Sequence, residues 1–419
     1  MSVKNAPLIL ILTAALGIAF VIFGGRAMLT RHDPWVSRRP AVTREKATNE
    51  LKEVASDVLA TKQKFAFDLM AQLKKSEKGN FCVSPLAIDQ CLAMLLNGAQ
   101  GDTFETCAKV MGLSDPNIER LNKANSNILD VVNSIEGHPV IVSNALWSVV
   151  PMKFNKDYSE DIDRYYDADV RKLGSARQNA LSQVNDWCKD RTGGKITNVF
   201  DHLDATSRLI LLSLVTLDAQ WAEPFESVAI GAFQTPTKTV QTPMMSAPGL
   251  DGKLGTAPGI KIAGIPYRNE GLTMWVVLSD DGKLPDFGVG KWRKALSSAH
   301  SARMDFTMPK LSLKSKCDLR GAVSALGGAP LFRGNNDFTF MSHDAGDELF
   351  LSQIIQTTLV TVDEKGTRIQ SASEVESAKS DDTPTVVPFH VDKPFVFLVT
   401  ESASGSILFM GAVKDPTEH

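Results

Sequence analysis

The histidines and cysteines are the side chains most often used in catalysis, but their spacing in this sequence builds no catalytic or metal site. The seven histidines include no pair at HxxxH or HxH spacing, so the metalloprotease motif is absent. The five cysteines form no CxxC pair, which excludes a structural zinc cluster and a dense disulfide scaffold. No Gly-x-Ser-x-Gly elbow, phosphate loop or dinucleotide fingerprint occurs. We therefore predict no catalytic residue, no metal and no cofactor; a hydrolase with an unmarked site is the enzymatic alternative.

A long connection between two predicted strands, from Glu364 to Pro384, is the segment that most needs a function. In its first half, every second residue is small or apolar, whereas the residues between them are mostly charged or polar. The small or apolar set is Thr367, Ile369, Ser371, Ser373, Val375 and Ser377. This period of two is typical of a strand with one buried face. The pattern predicts a loop that can become a strand; the alternative is a flexible polar loop.

The elements that must hold this loop are helices early in the chain and strands later. Apolar residues from Leu51 to Leu73 recur at spacings of three and four, which predicts an amphipathic helix. Ser84-Pro85 starts a buried helix that stops at Gly98, and Cys82 and Cys91 in this region are predicted core residues. The predicted strands are Leu209–Leu217, Thr273–Leu278, Met304–Leu313, Leu359–Asp363, Phe395–Thr400 and Ile407–Val413. This order predicts an α+β fold.

Composition and charge narrow the class of protein. The chain has 419 residues, of which 43% are hydrophobic, so it is not intrinsically disordered as a whole. Lys and Arg number 45 against 48 Asp and Glu, giving a net charge of -3 and no global basic field for nucleic acid. We find no internal repeat and no long linker after residue 50, which favours one domain over residues 51–419.

The amino-terminal segment is predicted to target the chain to a membrane. Residues Ala6 to Phe23 are uncharged and almost wholly apolar, about the length that crosses a bilayer as a helix. We expect residues 1–27 to be a signal-anchor or a signal peptide and residues 28–50 to be a polar linker. A buried core helix is the alternative. The expected location is extracytoplasmic, either anchored or secreted, with cleavage and orientation left open.

Eleven motifs, in order along the chain, resemble one family, the serpins, from about residue 55 to Pro416. They are Lys64–Leu69, Asn80–Leu86, Gly98–Thr103, Val184–Trp187 followed by Thr192–Ile196, Trp221 with Pro224-Phe225, Val240–Met245, Met308–Lys310, Asp318-Leu319 running to Leu326-Gly327, Val362–Thr367, Lys393–Phe395 and Ser406–Gly411. The resemblance implies a serpin fold with three β-sheets, about nine helices and an exposed reactive-centre loop.

The function implied by this resemblance is suicide inhibition of a serine, possibly cysteine, endopeptidase. A protease cleaves the loop as a substrate, and the freed end inserts into the central sheet while the protease is still covalently attached; serpin loop insertion is itself a recognised example of strand addition and released strain. We expect a covalent complex with the target protease, a monomer otherwise, and no nucleic-acid partner. The alternative is a non-inhibitory serpin that acts as a substrate, carrier or chaperone.

The resemblance also assigns residues to the loop hinge, the start of the segment that would insert. Glu364, Gly366 and Thr367 match the family motif, whereas Arg368, Ile369 and Gln370 depart from its small residues. Small residues return at Ser371, Ala372 and Ser373. Of the three departures only Ile369 is expected to face inward, where overpacking could cost about 1 to 3 kcal/mol.

Two further sites follow from the resemblance. The opening of the sheet is assigned to Ser84, Ala87, Ser213 and Gln356, where the family usually has a cluster of Ser, Asn and His, and to Trp221 at the point of first insertion. The scissile bond is expected after Ser380, or after Lys379 if the loop is one residue shorter; a Lys379-Ser380 bond suits a trypsin-like pocket. Asp381 on the following side disfavours many such enzymes.

Overall fold

The computed structural model describes residues 39–53, 56–173, 177–194, 196–199, 203, 206–344, 349–368 and 386–418. Nine α-helices lie within these ranges, and seven of them precede residue 192. They are α1 (Arg44–Lys52), α2 (Ser56–Ser76), α3 (Pro85–Gly98), α4 (Gly101–Met111), α5 (Ile118–Asn133), α6 (Lys156–Tyr166), α7 (Arg177–Arg191), α8 (Val289–Ser297) and α9 (Arg320–Val323). The predicted α+β class and the expected number of helices are confirmed in the described residues.

The strands alternate with the helices early and dominate later. They are β1 (Phe81–Val83), β2 (Val140–Ser148), β3 (Asp169–Lys172), β4 (Leu209–Leu217), β5 (Ala219–Gln220), β6 (Ser227–Gln234), β7 (Thr239–Ala257), β8 (Ile260–Pro266), β9 (Leu272–Ser279), β10 (His300–Pro309), β11 (Leu311–Asp318), β12 (Leu351–Asp363), β13 (Gly366–Arg368), β14 (Val387–His390), β15 (Phe395–Glu401) and β16 (Ile407–Val413).

The described strands form two hydrogen-bonded sheets, where three were expected. One sheet has nine strands in the order β1-β16-β15-β9-β8-β7-β10-β14, with β6 also on β7. The 19-residue strand β7 pairs with β6 near its start and with β8 near its end, so it joins what would otherwise be two sheets. The other sheet has seven strands in the order β3-β2-β4-β12-β13-β5, with β11 on the outer edge of β12.

Burial explains the strand predictions that succeeded and one that was wrong. Every residue of β4 is buried, and its bounds, Leu209–Leu217, are those predicted from the uninterrupted apolar run. The apolar run Met304–Leu313 was predicted as one strand, but it is divided at Lys310 between β10 and β11, which belong to different sheets. An apolar run reports burial, and burial continues across the turn between the two sheets.

The domain begins before the predicted boundary at residue 51. Helix α1 starts within the predicted linker, continues to Lys52, and buries Ala47 and Leu51. Arg39 forms two hydrogen bonds of 2.9 Å each with the carboxylate of Asp130 on α5, and Arg44 forms a 2.7 Å ion pair with the fully buried Glu401. Residues 39–50 therefore pack on the domain, because their charged side chains find partners on distant elements.

The predicted membrane segment, Ala6 to Phe23, lies outside the described residues, as does the rest of the predicted 1–27 leader. Among the helices that the structure describes, none combines the length and apolar character needed to cross a bilayer.

Candidate functional site

The candidate site is the line along which β4 and β12 meet, together with the turn that starts the predicted reactive loop. We call the parallel pairing of β4 and β12, from Leu209/Leu351 to Thr216/Leu359, the seam. We call residues Glu364–Arg368 the hinge. It consists of the hinge turn, Glu364-Lys365, and the strand β13. The seam is a direct contact: no described strand lies between β4 and β12 along these residues.

The hinge turn reverses the chain at the end of β12. The Asp363 carboxylate accepts hydrogen bonds from the backbone N–H groups of Lys365, at 2.8 Å, and Gly366, at 3.1 Å. The chain then returns as β13, antiparallel to β12, with Thr367 opposite Val362. On its other side β13 pairs antiparallel with β5, the continuation of β4. The first residues of the predicted loop therefore already lie between the two strands that bound the seam.

Only glycine fits at position 366. A Cβ built there would lie 2.2 Å from the Ala219 carbonyl oxygen and 2.8 Å from the Gln220 Cα, and both are backbone atoms of β5. The expected role of Gly366 at the hinge therefore has a physical basis in the close approach of two backbones.

Trp221 contacts the hinge turn through two hydrogen bonds. Its indole Nε1 donates a 2.9 Å hydrogen bond to the Asp363 carbonyl, and its backbone N–H donates a 3.1 Å bond to the Lys365 carbonyl. The Trp221 ring is fully buried and stacks on Tyr267 with centroids 4.5 Å apart. Phe225 adds a 2.9 Å bond from its N–H to the Glu364 carbonyl.

Thr367 faces inward, as the alternation predicts for this residue. Its side chain is 1% exposed, and its Oγ1 lies 2.6 Å from the Tyr267 hydroxyl. Burial raises the pKa of Tyr267, which keeps the phenol protonated and hydrogen bonding. Tyr267 was not predicted as a site residue, because it is 100 residues from Thr367 and its local sequence carries no motif.

Glu364 is tied to a third segment by an ion pair. The Lys310 ammonium lies 2.6 Å from a Glu364 carboxylate oxygen, with about a third of each side chain exposed. The Lys310 ammonium holds the pKa of Glu364 below its ordinary value of 4.5. Lys310 belongs to a motif that carries the family resemblance, but its partner could be identified only from the structure.

The whole seam lies below the hinge in the same sheet and is called the lower seam from here on; it contains the other predicted opening residues. Gln356 on β12 accepts a 2.6 Å hydrogen bond from the Ser84 N–H and donates a 3.2 Å bond to the Ser84 carbonyl. Ser84 caps α3, with its Oγ accepting a bond from the Ala87 N–H at 3.4 Å. Ser213 on β4 lies opposite Gln356. The structure thus brings Ser84, Ala87, Ser213 and Gln356 together.

Several buried polar atoms at the lower seam lack partners. The hydroxyls of Ser213, Thr357 and Thr358 are buried and form no hydrogen bond within the described part of the chain. A buried polar group without a partner costs about 1 to 3 kcal/mol. Backbone pairing therefore holds β4 and β12 together in the lower seam, while the desolvation of these hydroxyls opposes it. Trp221 is separate from this cluster, about 25 Å farther along β4 and β5 at the rise of an extended strand.

The remaining predicted site residues lie mostly outside the described residues. These are Ile369, Gln370, Ser371, Ala372, Ser373, Lys379, Ser380 and Asp381. The backbone of Arg368 is described and pairs with Thr361. The alternation beyond Thr367 and the position of the scissile bond therefore stay predictions.

Cys82 and Cys91 have the core role predicted for them, and the other three cysteines are buried as well. All five are buried and none forms a disulfide. Burial raises the pKa of the Cys91 thiol and raises that of Cys107 to about 12, so neither provides a thiolate nucleophile near neutral pH. In the described residues, no group of three or more His, Cys, Asp or Glu side chains is arranged to hold a metal ion.

Comparison with known proteins identifies the family. A family model described as serpin (serine protease inhibitor) matches residues 60–416, and the chain therefore belongs to the serpin family. The leukocyte elastase inhibitor of Equus caballus is 26% identical over 84% of this chain and 97% of its own length.

Solved structures share the fold. Mouse protein-Z dependent protease inhibitor has a TM-score of 0.78 at 20% identity, covering 88% of this chain and 100% of its own. Human thyroxine-binding globulin complexed with thyroxine has a TM-score of 0.75 at 23% identity, covering 86% of this chain and 99% of its own. The fold therefore occurs in a protease inhibitor and in a protein that binds a small molecule.

Proposed function

We propose that this chain is a suicide inhibitor of a serine endopeptidase, with a cysteine endopeptidase as the alternative target. In this proposal a protease cleaves one bond within the loop that follows Arg368, and this cleavage forms an acyl-enzyme. The freed amino-terminal part of the loop then extends β13 into the seam. The protease is carried along, and it stays trapped if insertion is faster than hydrolysis of the acyl bond.

The observation that carries this proposal is the direction of β13. It runs antiparallel to β12 on one side and to β5 on the other, whereas β4 and β12 run parallel to each other. A strand continuing from Arg368 would therefore be antiparallel to both walls of the seam. Its entry would replace one parallel ladder by two antiparallel ladders.

The gain from this exchange is large enough to drive the transfer. About 14 residues could enter, and each net ladder bond contributes roughly 0.5 to 1.5 kcal/mol, so on the order of 10 kcal/mol is available before side chains are counted. This gain is comparable with the stability of a whole domain, about 5 to 15 kcal/mol. At 3.3 to 3.4 Å per residue, the inserted strand would span about 50 Å.

Incubation with trypsin-, chymotrypsin- and subtilisin-type proteases tests the proposal. We expect a covalent complex that survives SDS, and a cleaved form that unfolds at a higher temperature than the intact form. Cleavage with neither result would contradict inhibition. It would favour the non-inhibitory alternative, which the departures at Arg368, Ile369 and Gln370 support. Hydrolysis of added ester substrates by the purified protein would indicate an enzyme instead.

We also propose an extracytoplasmic location for this inhibitor, supported by the uncharged segment Ala6 to Phe23. Fractionation of cells that express the full chain, followed by alkaline extraction of the membranes, tests this location. Membrane-bound protein would indicate an anchor, and protein in the medium or periplasm would indicate a cleaved signal. Protein found only in the soluble cytoplasmic fraction would contradict the proposal.

A further inference from the structure

A cavity of about 700 Å³ lies in the nine-stranded sheet, beside the strand that follows the loop in sequence. The hinge, by contrast, precedes the loop in sequence. It occurs where β7 and β10 pair across Asp251/Arg303 and Lys253/Ser301, next to a shift in their register between Met304 and Asp305. Val387, the first residue of β14 after the loop, forms part of its wall. The volume is within the range of about 300 to 1,000 Å³ found for small-molecule sites.

The floor of the cavity is small and apolar. Gly252, Gly264, Pro266 and Ala302 line it, and each is buried or half-buried. A Cβ on Gly252 would lie 2.5 Å from the Gly264 carbonyl oxygen, and a Cβ on Gly264 would lie 2.7 Å from the Trp275 ring. Both positions therefore require glycine, and both glycines line the cavity.

The rim of the cavity has charge of different kinds at its two ends. At one end Arg303 donates a 3.0 Å hydrogen bond to the Gly249 carbonyl and lies across from Asp251. Burial and the Asp251 carboxylate raise the pKa of the neighbouring Glu223. At the other end Lys253 is exposed and has no carboxylate at ion-pair distance in the described ranges.

We infer that this cavity binds a small amphipathic anion, such as an acyl or aryl carboxylate. The apolar body of the ligand would lie on the floor formed by Gly264, Pro266 and Ala302, where it displaces water from apolar surface. The carboxylate would lie at the rim beside the Lys253 ammonium. Because Val387 forms part of the wall, such a ligand would also contact the strand that follows the reactive loop.

Two fluorescent probes with the same ring system test this inference on the purified protein. Dansylglycine carries a carboxylate, and dansylamide does not. We expect dansylglycine to bind saturably at one site, with a rise in fluorescence, and at least about tenfold more tightly than dansylamide. Equal affinities for the two probes would overturn the assignment to an anion.

Two substitutions locate the bound probe. Ser301→Trp places a bulky ring at an exposed position of the wall and should abolish binding of both probes. Lys253→Glu reverses one rim charge and should weaken dansylglycine by about tenfold or more while leaving dansylamide unchanged. Lys238→Glu, at an exposed lysine just before β7, is the matched control and should change neither affinity.

Unaltered binding to the Ser301→Trp variant, or the absence of saturable dansylglycine binding, would overturn the inference. Thermal unfolding of each variant separates loss of the cavity from loss of the fold. The measurement needs no protease, so its result is independent of whether the chain inhibits one.

Discussion

The hinge, at the upper end of the seven-stranded sheet, and the lower seam of the same sheet differ in how their buried polar groups are hydrogen bonded. At the upper end, the hinge is bound by Trp221, Tyr267 and Lys310, and each contact has hydrogen-bond or ion-pair geometry. In the lower seam, the hydroxyls of Ser213 and Thr358 are buried and have no hydrogen-bond partner among the described residues. The upper end is therefore stabilised by specific side-chain contacts, whereas the lower seam is destabilised by hydroxyls that lost their hydrogen bonds to water on burial.

This difference indicates where a new strand would begin and where it would gain most. The first three residues of a strand are already in place between β12 and β5. Farther down, β4 and β12 are joined by one ladder that contains unsatisfied hydroxyls. Under the proposed function, insertion would start at the satisfied end and proceed into the less satisfied one.

The largest expected effect comes from Thr367→Arg. This change places a charge at a position that is 1% exposed and removes the partner of Tyr267. An uncompensated buried charge costs about 3 to 5 kcal/mol. We therefore expect the hinge to leave its position and protease trapping to fall at least tenfold, with cleavage continuing. Gel analysis of complex against cleaved product measures the ratio.

Thr239→Arg, the same substitution at an exposed strand position, should leave trapping unchanged. Normal trapping by Thr367→Arg would show that burial of this side chain between β12 and β5 is not needed for insertion of the loop.

Gly366→Ala is expected to have the next largest effect. The added Cβ would collide with the backbone of Ala219 and Gln220, so the two strands must separate. Overpacking of this kind costs about 1 to 3 kcal/mol, which should lower the urea concentration at the midpoint of unfolding. Gly290→Ala is the control, because a Cβ there meets no atom within 4 Å. Equal midpoints for the two variants would refute the close packing at the hinge.

Removing a hydroxyl should change the free energy of unfolding in opposite directions at the hinge and in the lower seam. Tyr267→Phe leaves the buried Thr367 hydroxyl unpaired and should lower the free energy of unfolding by about 1 kcal/mol or more. Ser213→Ala removes a buried hydroxyl that has no partner in the described ranges and should raise the free energy of unfolding by up to about 1 kcal/mol. Denaturant unfolding of both variants under one condition measures the two changes. Changes of the same sign would remove the contrast between the two regions.

The smallest expected effect is a pH dependence at Glu364. Its pKa in the folded protein lies below its ordinary value of 4.5, so the ion pair with Lys310 stabilises the fold above that value. The contribution is lost as the pH falls through the lowered pKa. Because the pair is partly exposed, solvent screening limits it to about 0.5 kcal/mol.

Glu364→Gln tests this pair. The stability difference between the unaltered protein and the variant should be constant above pH 5 and should shrink toward zero in more acid solution. Glu105→Gln, at an exposed helix position, is the control and should show no such trend. A difference that grows on acidification would contradict the assigned direction of the pKa.

Some of the site could be predicted from local pattern. The period of two placed Thr367 on a buried face, because alternation reports which side of a strand meets the core. Ser84 was identified as a helix cap because its type and the proline after it are local signals. The fully apolar run of β4 gave its bounds, since a strand covered on both faces has no polar interruption.

Other parts could not be predicted, because they depend on contacts between distant segments. Residues 39–50 read as a polar linker, yet Arg39 and Arg44 bind Asp130 and Glu401, which lie about 90 and 360 positions away. Nothing near Tyr267 indicates that its hydroxyl meets Thr367. The same is true of Lys310 and Glu364, whose pairing requires β10, β11 and the hinge turn to converge.

The sequence by itself determined the family, the α+β class and the inward face of the hinge threonine. These follow from motifs and periodicities that lie within single elements. The tertiary structure alone decided that the hinge already lies between β12 and β5, that Tyr267 and Lys310 bind it there, and that the hydroxyls of the lower seam have no partner in the part of the chain that the structure describes. The physical reason is that a hydrogen bond or an ion pair depends on two atoms meeting in space, and the local pattern around either atom contains no information about the other.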